Sequence, residues 1–238
     1  MRIALLSDIH SNLEALRACL EHARGRDVER YAFLGDLVGY GADPGAVIDT
    51  VAEYAEKGAI VVKGNHDQAV LTNRLAQLSD GAADVLEWTR RVLTPKQQAF
   101  LANLPLTARD RDMCFVHASA DAPAEWSYVD TSQAARESIV ASGATYTFSG
   151  HVHDQVLYFR TLAGKTAPFR PTPGSSIPMP PHRFWLALVG SVGQPRDGNP
   201  AAGYAIFDDM AEEVTFYRVP YDCEAAAEKV RRAGLPAW

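Results

Sequence analysis

The 238-residue sequence contains only three cysteines, Cys19, Cys114 and Cys223, with no Cys-x-x-Cys pair among them. That pattern argues against a disulfide framework and a thiolate zinc site, and it suits small buried residues in a reducing compartment. Basic charge is also short: 23 Lys and Arg stand against 29 Asp and Glu, a formal net charge of −6. No basic stripe marks a nucleic-acid or membrane-surface partner, so both are expected to be absent. Long apolar runs are missing. The opening MRIALLSD is too short for the core of a signal peptide or for a membrane span, so a cytoplasmic location is expected. Internal repeats and low-complexity tails are absent as well.

What is present is ordinary for a globular protein: 47% hydrophobic and 22% charged residues. The length suits one large α/β domain or two small ones, with enough chain to bury a core unaided. RIALLS, residues 2–7, reads as a buried strand ending at Asp8. Residues 12–24 follow with apolar residues at helical spacing (Leu13, Leu16, Cys19, Leu20) behind a candidate N-cap, Asn12. YAFL at 31–34 is a second strand, a helix starts near Asp43-Pro44 and runs to Gly58, and AIVVK at 59–63 is a third strand. Helices are expected onward to about residue 103, one of them begun by Thr94-Pro95.

Such strand–helix–strand–helix–strand order signals parallel α/β construction. The second half changes character: MCFVH, TYTFSGH, QVLYF, FWLALVG, YAIFD and VTFYRV read as strands of mixed or antiparallel sheet, followed by a helix, DCEAAAEKVRRAG. Six prolines between Pro168 and Pro181 mark an irregular surface loop between two strands.

The polar residues that follow these strands carry the chemistry. SDIH contains Asp8 and His10; GDLVGYG contains Asp36; GNHD contains Asn65, His66 and Asp67; MCFVH ends on His117; SGHVH contains His151 and His153. In an open α/β sheet the carboxyl ends of strands share one edge, where ligands bind. Each piece alone is weak, and a turn or a polar strand end explains it as well. Five of the seven histidines nevertheless share this placement. Carboxylate, imidazole and amide oxygen without thiolate suit hard-to-borderline divalent ions, and a carboxylate can bridge two of them.

The ordered set SDIH, GD, GNHD, an isolated His and GHVH resembles the calcineurin-like metallophosphoesterases, and the tail SVGQPRDGNPAAGYAIFD resembles their small prokaryotic, phosphodiesterase-type subgroup. The resemblance implies one metallophosphoesterase domain over 1–238, a four-layer αββα sandwich of two mixed β-sheets flanked by helices. It implies two divalent metal ions, manganese first, with iron, zinc, cobalt or nickel as alternatives. Asp8, His10, Asp36 and His153 would hold one ion; Asp36 would bridge to a second held by Asn65, His117 and His151. His66 would face the substrate and assist the leaving group, with Asp67 orienting its ring. LVGSVG, with Val189 before Gly190, departs from an Asn-Pro-Gly-Ser stretch frequent in relatives, a change in a loop near the site that touches no ligand.

The implied activity is hydrolysis of phosphate esters by water activated between the metals. The arginines that protein phosphatases carry after their Gly-Asp and Asn-His motifs are missing from GDLVGYG and GNHDQ. A small diester or nucleotide-type substrate is therefore expected, ahead of a phosphomonoester or phosphoprotein and of a non-catalytic scaffold role. Tyr40 and Trp126 are candidates to stack on a base, and Arg196 to meet a phosphate; ordinary packing and surface charge are the alternatives.

Overall fold

The computed structural model of the chain describes residues 1–72 and 80–236. Part of the expected helical stretch before residue 103 lies outside the described residues. The first half alternates as the sequence predicts: β1 (Arg2–Leu6), α1 (Leu13–Arg24), β2 (Arg30–Phe33), α2 (Pro44–Glu56), β3 (Ile60–Val61), α3 (Asn65–Leu71), α4 (Asp80–Val92) and α5 (Pro95–Asn103). Asn12 caps α1 through its side chain, which accepts from Ala15 N at 3.1 Å. Thr94 and Gln97 cap α5 reciprocally, satisfying two of the donors a helix start leaves open.

After these come β4 (Thr107–Asp110), β5 (Met113–Val116), α6 (Ser132–Ser142), β6 (Tyr146–Ser149), β7 (Gln155–Arg160), β8 (Thr166–Phe169), β9 (Ser176–Pro178), β10 (Phe184–Val189), β11 (Ala202–Asp208), β12 (Glu213–Val219) and α7 (Cys223–Arg232). They form two mixed six-stranded sheets. One has the order β3-β2-β1-β11-β12-β9, the other β4-β5-β6-β10-β7-β8. β1, β2 and β3 run parallel in the first sheet; β5, β6 and β10 run parallel in the second.

Strict alternation sets the layers. Ile3 and Leu5 of β1 and Ala205 and Phe207 of β11 face the other sheet, whose Phe115, Phe148 and Trp185 meet them. Ala4, Leu6, Tyr204 and Ile206 point the other way, under Leu16 and Leu20 of α1 and Val47 of α2. On the far side, Tyr158, Leu186 and Leu188 pack against Ala135 and Ile139 of α6. Strands covered on both faces read as unbroken apolar runs, which explains RIALL and FWLALV. The result is the expected αββα sandwich. Among the described residues no helix is long and apolar enough to cross a membrane.

Three expectations change. AIVVK pairs only over Ile60–Val61, because the chain leaves the ladder to deliver Gly64 to the site. GNHD opens α3, with Gly64 as N-cap, instead of forming a free turn. The proline-rich segment contains two short strands, β8 at the edge of one sheet and β9 at the edge of the other. Pro168 and Pro178 lie in them, and a residue without an N–H is tolerated at an edge, where one side of the ladder is open.

Candidate metal centre

The carboxyl ends of β1, β2 and β3 in one sheet, and of β5 and β6 in the other, meet at one end of the sandwich. The loops that follow them are tied together by backbone bonds: Asp8 N donates to Gly35 O at 3.1 Å, His10 N to Asp36 O at 3.0 Å, and Gly150 N to His117 O at 2.8 Å. Asp8, His10, Asp36, His66, His117, His151 and His153 are all buried there, and Asn65 is half-buried. Every residue singled out as a ligand is thus brought to one place.

The backbone is forced to reach it. Asp8, His10, Asp36, His151 and His153 adopt left-handed conformations, with φ between 50° and 70°. For residues other than glycine each such conformation costs about 1–3 kcal/mol and persists only where its surroundings over-determine it. Close approach does the rest. A Cβ on Gly64 would stand 2.1 Å from Asp36 Oδ1, and one on Gly150 would stand 1.8 Å from Ser7 Oγ and 2.5 Å from Asp8 Oδ2. Only glycine fits at either position.

Hydrogen bonds fix the tautomers. The Nδ1 of His10, His117 and His153 faces a backbone carbonyl, Val38 O at 3.2 Å, Leu34 O at 2.8 Å and Gln194 O at 2.5 Å respectively. A carbonyl only accepts, so each Nδ1 carries a proton and Nε2 is the nitrogen turned into the site, where its lone pair is the one a metal would take. Those lone pairs point at other acceptors. His10 Nε2 lies 3.2 Å from His153 Nε2, and His153 Nε2 lies 3.3 Å from Asp8 Oδ1. His117 Nε2 lies 3.0 Å from Asn65 Oδ1, 3.2 Å from His151 Nδ1 and 3.4 Å from Asp36 Oδ2.

Acceptor facing acceptor is repulsive unless a cation lies between. Ligands about 2.0–2.2 Å from one ion, at tetrahedral or octahedral angles, stand roughly 3.0–3.5 Å apart. The donor set and these separations fit divalent ions. Three buried groups could hold one: Asp8, His10 and His153; His10, Asp36 and His66; and Asp36, His117 and His151. Asp36 belongs to two of them, through Oδ2, while its Oδ1 accepts from His66 N at 2.8 Å. Asp8 Oδ1 and His151 Nε2 are buried with no hydrogen-bond partner among the described residues.

The electrostatics follow from this crowding. Burial pushes the Asp36 carboxyl up, yet His117, His66 and His10 outweigh it and hold it well below the usual carboxylate range. Burial pulls His117 down, but Asp36 and Asp8 overcome that and bring it up to about 9. Burial dominates elsewhere: His10 falls well below its ordinary value, His66 is lowered, and His151 drops to about 4 with help from His117.

Asp67 does something other than orient His66. Its Oδ1 accepts from Leu37 N at 2.9 Å and Val38 N at 3.2 Å, and its Oδ2 from Gly64 N at 2.9 Å. It staples the loop after β2 to the start of α3. His66 Nδ1 has no partner among the described residues, and its Nε2 lies 3.9 Å from Asp36 Oδ2. Aromatic rings line the rim. Tyr40 sits 4.7 Å from His10 and 4.9 Å from His66 between ring centroids, and Trp126 sits 6.0 Å from His117. Arg196 bonds the Tyr40 phenol and Gln194 Oε1.

The sequence reading missed Tyr128, which stacks on His151 at 4.1 Å, and Ser191, whose Oγ donates to Asp8 O at 2.8 Å and accepts from Gln194 N at 2.8 Å. The serine lies in the divergent LVGSVG stretch, and its bonds tie that loop to the loop after β1.

The comparisons agree with this geometry. A family model, the calcineurin-like phosphoesterase superfamily domain, matches residues 1–211. An uncharacterized protein of Methanocaldococcus jannaschii is 33% identical, over 99% of this chain and 94% of the relative. A metallophosphoesterase from Sphaerobacter thermophilus is 34% identical with a TM-score of 0.86, over 99% of this chain and 95% of that one. A hypothetical protein from Pyrococcus horikoshii, at 20% identity and a TM-score of 0.80 over 99% of this chain and 94% of that one, shares the fold. The chain belongs to the calcineurin-like phosphoesterase superfamily and is a hydrolase of phosphate esters.

Proposed function

We propose that the protein, as one domain over 1–238, hydrolyses small phosphodiesters or nucleotide-type phosphate esters with two divalent ions. Asp8, His10, Asp36 and His153 hold one ion, and Asp36, Asn65, His117 and His151 the other, with Asp36 shared. Bound there, the ions would lower the pKa of a water toward about 7 and offset the charge of the phosphoryl oxygens. The chain's own residues do the positioning. Carbonyls of Leu34, Val38 and Gln194 hold three imidazoles with Nε2 free. Tyr40, Trp126 and Tyr128 cover the ligand histidines and limit water. His66, next to the shared carboxylate and with a free ring nitrogen, assists the departing oxygen.

The observation that carries the reading is the crowding of ligand atoms on both sides of Asp36: a proton on His117 satisfies only its own contact with Asp36 Oδ2 and leaves His10 Nε2 and His153 Nε2 facing each other at 3.2 Å. A diester carries one negative charge at phosphorus, against two for a monoester dianion. Arg196 brings a cation to the rim, but no arginine occupies the positions after Asp36 or His66 where protein phosphatases carry one. Manganese is the proposed metal, and three free cysteines accord with a reducing, cytoplasmic setting. One panel tests it: metal-reconstituted protein on an aryl diester, an aryl monoester, cyclic nucleotides, dinucleoside polyphosphates and a phosphopeptide. The diester or a nucleotide substrate is expected to lead; a dominant phosphopeptide signal overturns the ranking.

A further inference from the structure

Beside the metal centre, a cleft of about 410 Å³ runs from His10 and Tyr40 out to α7. Small-molecule sites span about 300–1,000 Å³, so one organic group fits it. Its apolar lining comes from Pro195 and Pro200, in the loop between β10 and β11, and from Ala226, Ala227 and Val230 of α7. The α7 wall lies beyond residues 1–211 matched by the family model.

Two residues of this lining, Ser11 and Glu14, each carry a buried polar atom without a partner among the described residues. Ser11 is 1% exposed and its Oγ makes no hydrogen bond. Glu14 binds Lys229 Nζ through Oε1 at 2.6 Å, while its Oε2 is buried and unpaired. A buried polar atom left unpaired is destabilising, so two beside one cleft call for a ligand that pairs with them. A carboxylate oxygen only accepts and a hydroxyl does both, which matches the hydroxyls of a sugar. A second phosphate is a poor match. Glu14 and Asp43 put carboxylates on the lining, the nearby Lys229 is already paired to both, at 2.6 and 2.7 Å, and the one arginine of the lining, Arg231, is paired to Glu224 and Glu228.

We propose that this cleft holds the nucleoside of a nucleotide ester whose phosphate sits at the metal centre, so that α7 selects the substrate that the superfamily core cleaves. The sugar hydroxyls pair with Glu14 and Ser11, whose Oε2 and Oγ turn outward to meet them, and the base lies between the prolines and the alanine face of α7. The position of the phosphate rests on the phosphoesterase reading above.

Two diesters with one leaving group separate the claims: uridine 5′-(4-nitrophenyl phosphate) and methyl 4-nitrophenyl phosphate. Manganese-loaded protein is expected to prefer the uridine ester by about 30-fold or more in kcat/KM, and Ala227→Trp, or Val230→Trp where the first does not fold, to bring that ratio below about threefold. A second readout needs no turnover. Cys223 lines the cleft and is half-buried, whereas Cys19 and Cys114 are buried. Free uridine is expected to slow its alkylation in the unaltered protein and not in the filled variant. Absence of that protection, or equal rates on the two esters, overturns the proposal. If neither ester is cleaved while uridine protects Cys223, the cleft assignment stands and the diester reading falls instead.

Discussion

At the metal centre, five candidate ligands sit in left-handed backbone and two glycines admit no side chain, whereas the outer wall of the adjacent cleft is a regular helix. α7 is capped by Asp222, whose Oδ1 accepts from Ala225 N at 2.9 Å, and it carries Lys229, Arg231 and Arg232 in its last turn, where they suit the helix dipole. The centre is stabilised against its own strain by what surrounds it; the helix wall stores none. One region therefore tolerates almost no substitution, and the other can be resurfaced without touching the reacting groups. If α7 selects the substrate as proposed, chemistry and selection are separable in this molecule.

The sharpest way to break that contrast is at its centre. Asp36→Ala is expected to lose bound metal and at least about a thousandfold in kcat, because it removes the carboxylate that both clusters share. Metal analysis and turnover check it together; retained metal in both positions would remove Asp36 from its bridging role. His66→Ala is expected to lose about 10²–10⁴-fold in kcat with metal content unchanged, the range of a leaving-group contribution. Since His66 also lies within ligand distance of His10 and Asp36, a loss of metal in this variant would make it a ligand.

Metal removal comes next. An ion present at about 100 times its Kd adds about 2.7 kcal/mol of stability, which for a chain of this size lowers Tm by roughly 5–10 °C on chelation. Protons are part of the same exchange. His117, raised to about 9 in the metal-free site, is protonated at pH 7, and an incoming cation must displace that proton. Calorimetry in two buffers is expected to show about one proton released, and apparent affinity to rise roughly tenfold per pH unit up to about 9. An affinity flat between pH 7 and 9 would mean that His117 does not bind the ion.

The smallest effect is expected from Asp67→Asn. Burial and the nearby Asp36 push the Asp67 carboxyl up to about 7, against the backbone donors that hold it down. An amide keeps one accepting oxygen but turns its nitrogen toward a donor, at a cost of about 1–3 kcal/mol by thermal denaturation. A larger fall in kcat than in stability would give Asp67 a direct part in the reaction.

The meeting of Asp8, Asp36, His117 and His151 was legible because strand ends in parallel sheets must share an edge, and polar residues stood at each one; the sandwich itself came from the family resemblance those motifs carry. Less was legible where the cause is tertiary. The sequence GNHD reads as a turn; only contact with the loop after β2 makes it the start of α3. The resemblance implied that Asp67 orients His66, yet its oxygens are taken by three amides from two loops. β8 and β9 are three or four residues long and bury no residue fully, so neither carries the apolar pattern of a strand. The cleft was invisible for a plainer reason: Glu14, Tyr40, Pro200 and Ala227 are ordinary residues whose proximity depends on α7 folding back against α1.

The two proline-bearing strands have a consequence for how the protein behaves in a crowded solution. A sheet border with open amides is a template on which another chain can add, and long flat borders seed aggregates. Here β9 closes one sheet with three residues and β8 the other with four, each including a proline that withholds its N–H. A single segment of chain thus makes one border of each sheet a poor template for self-association.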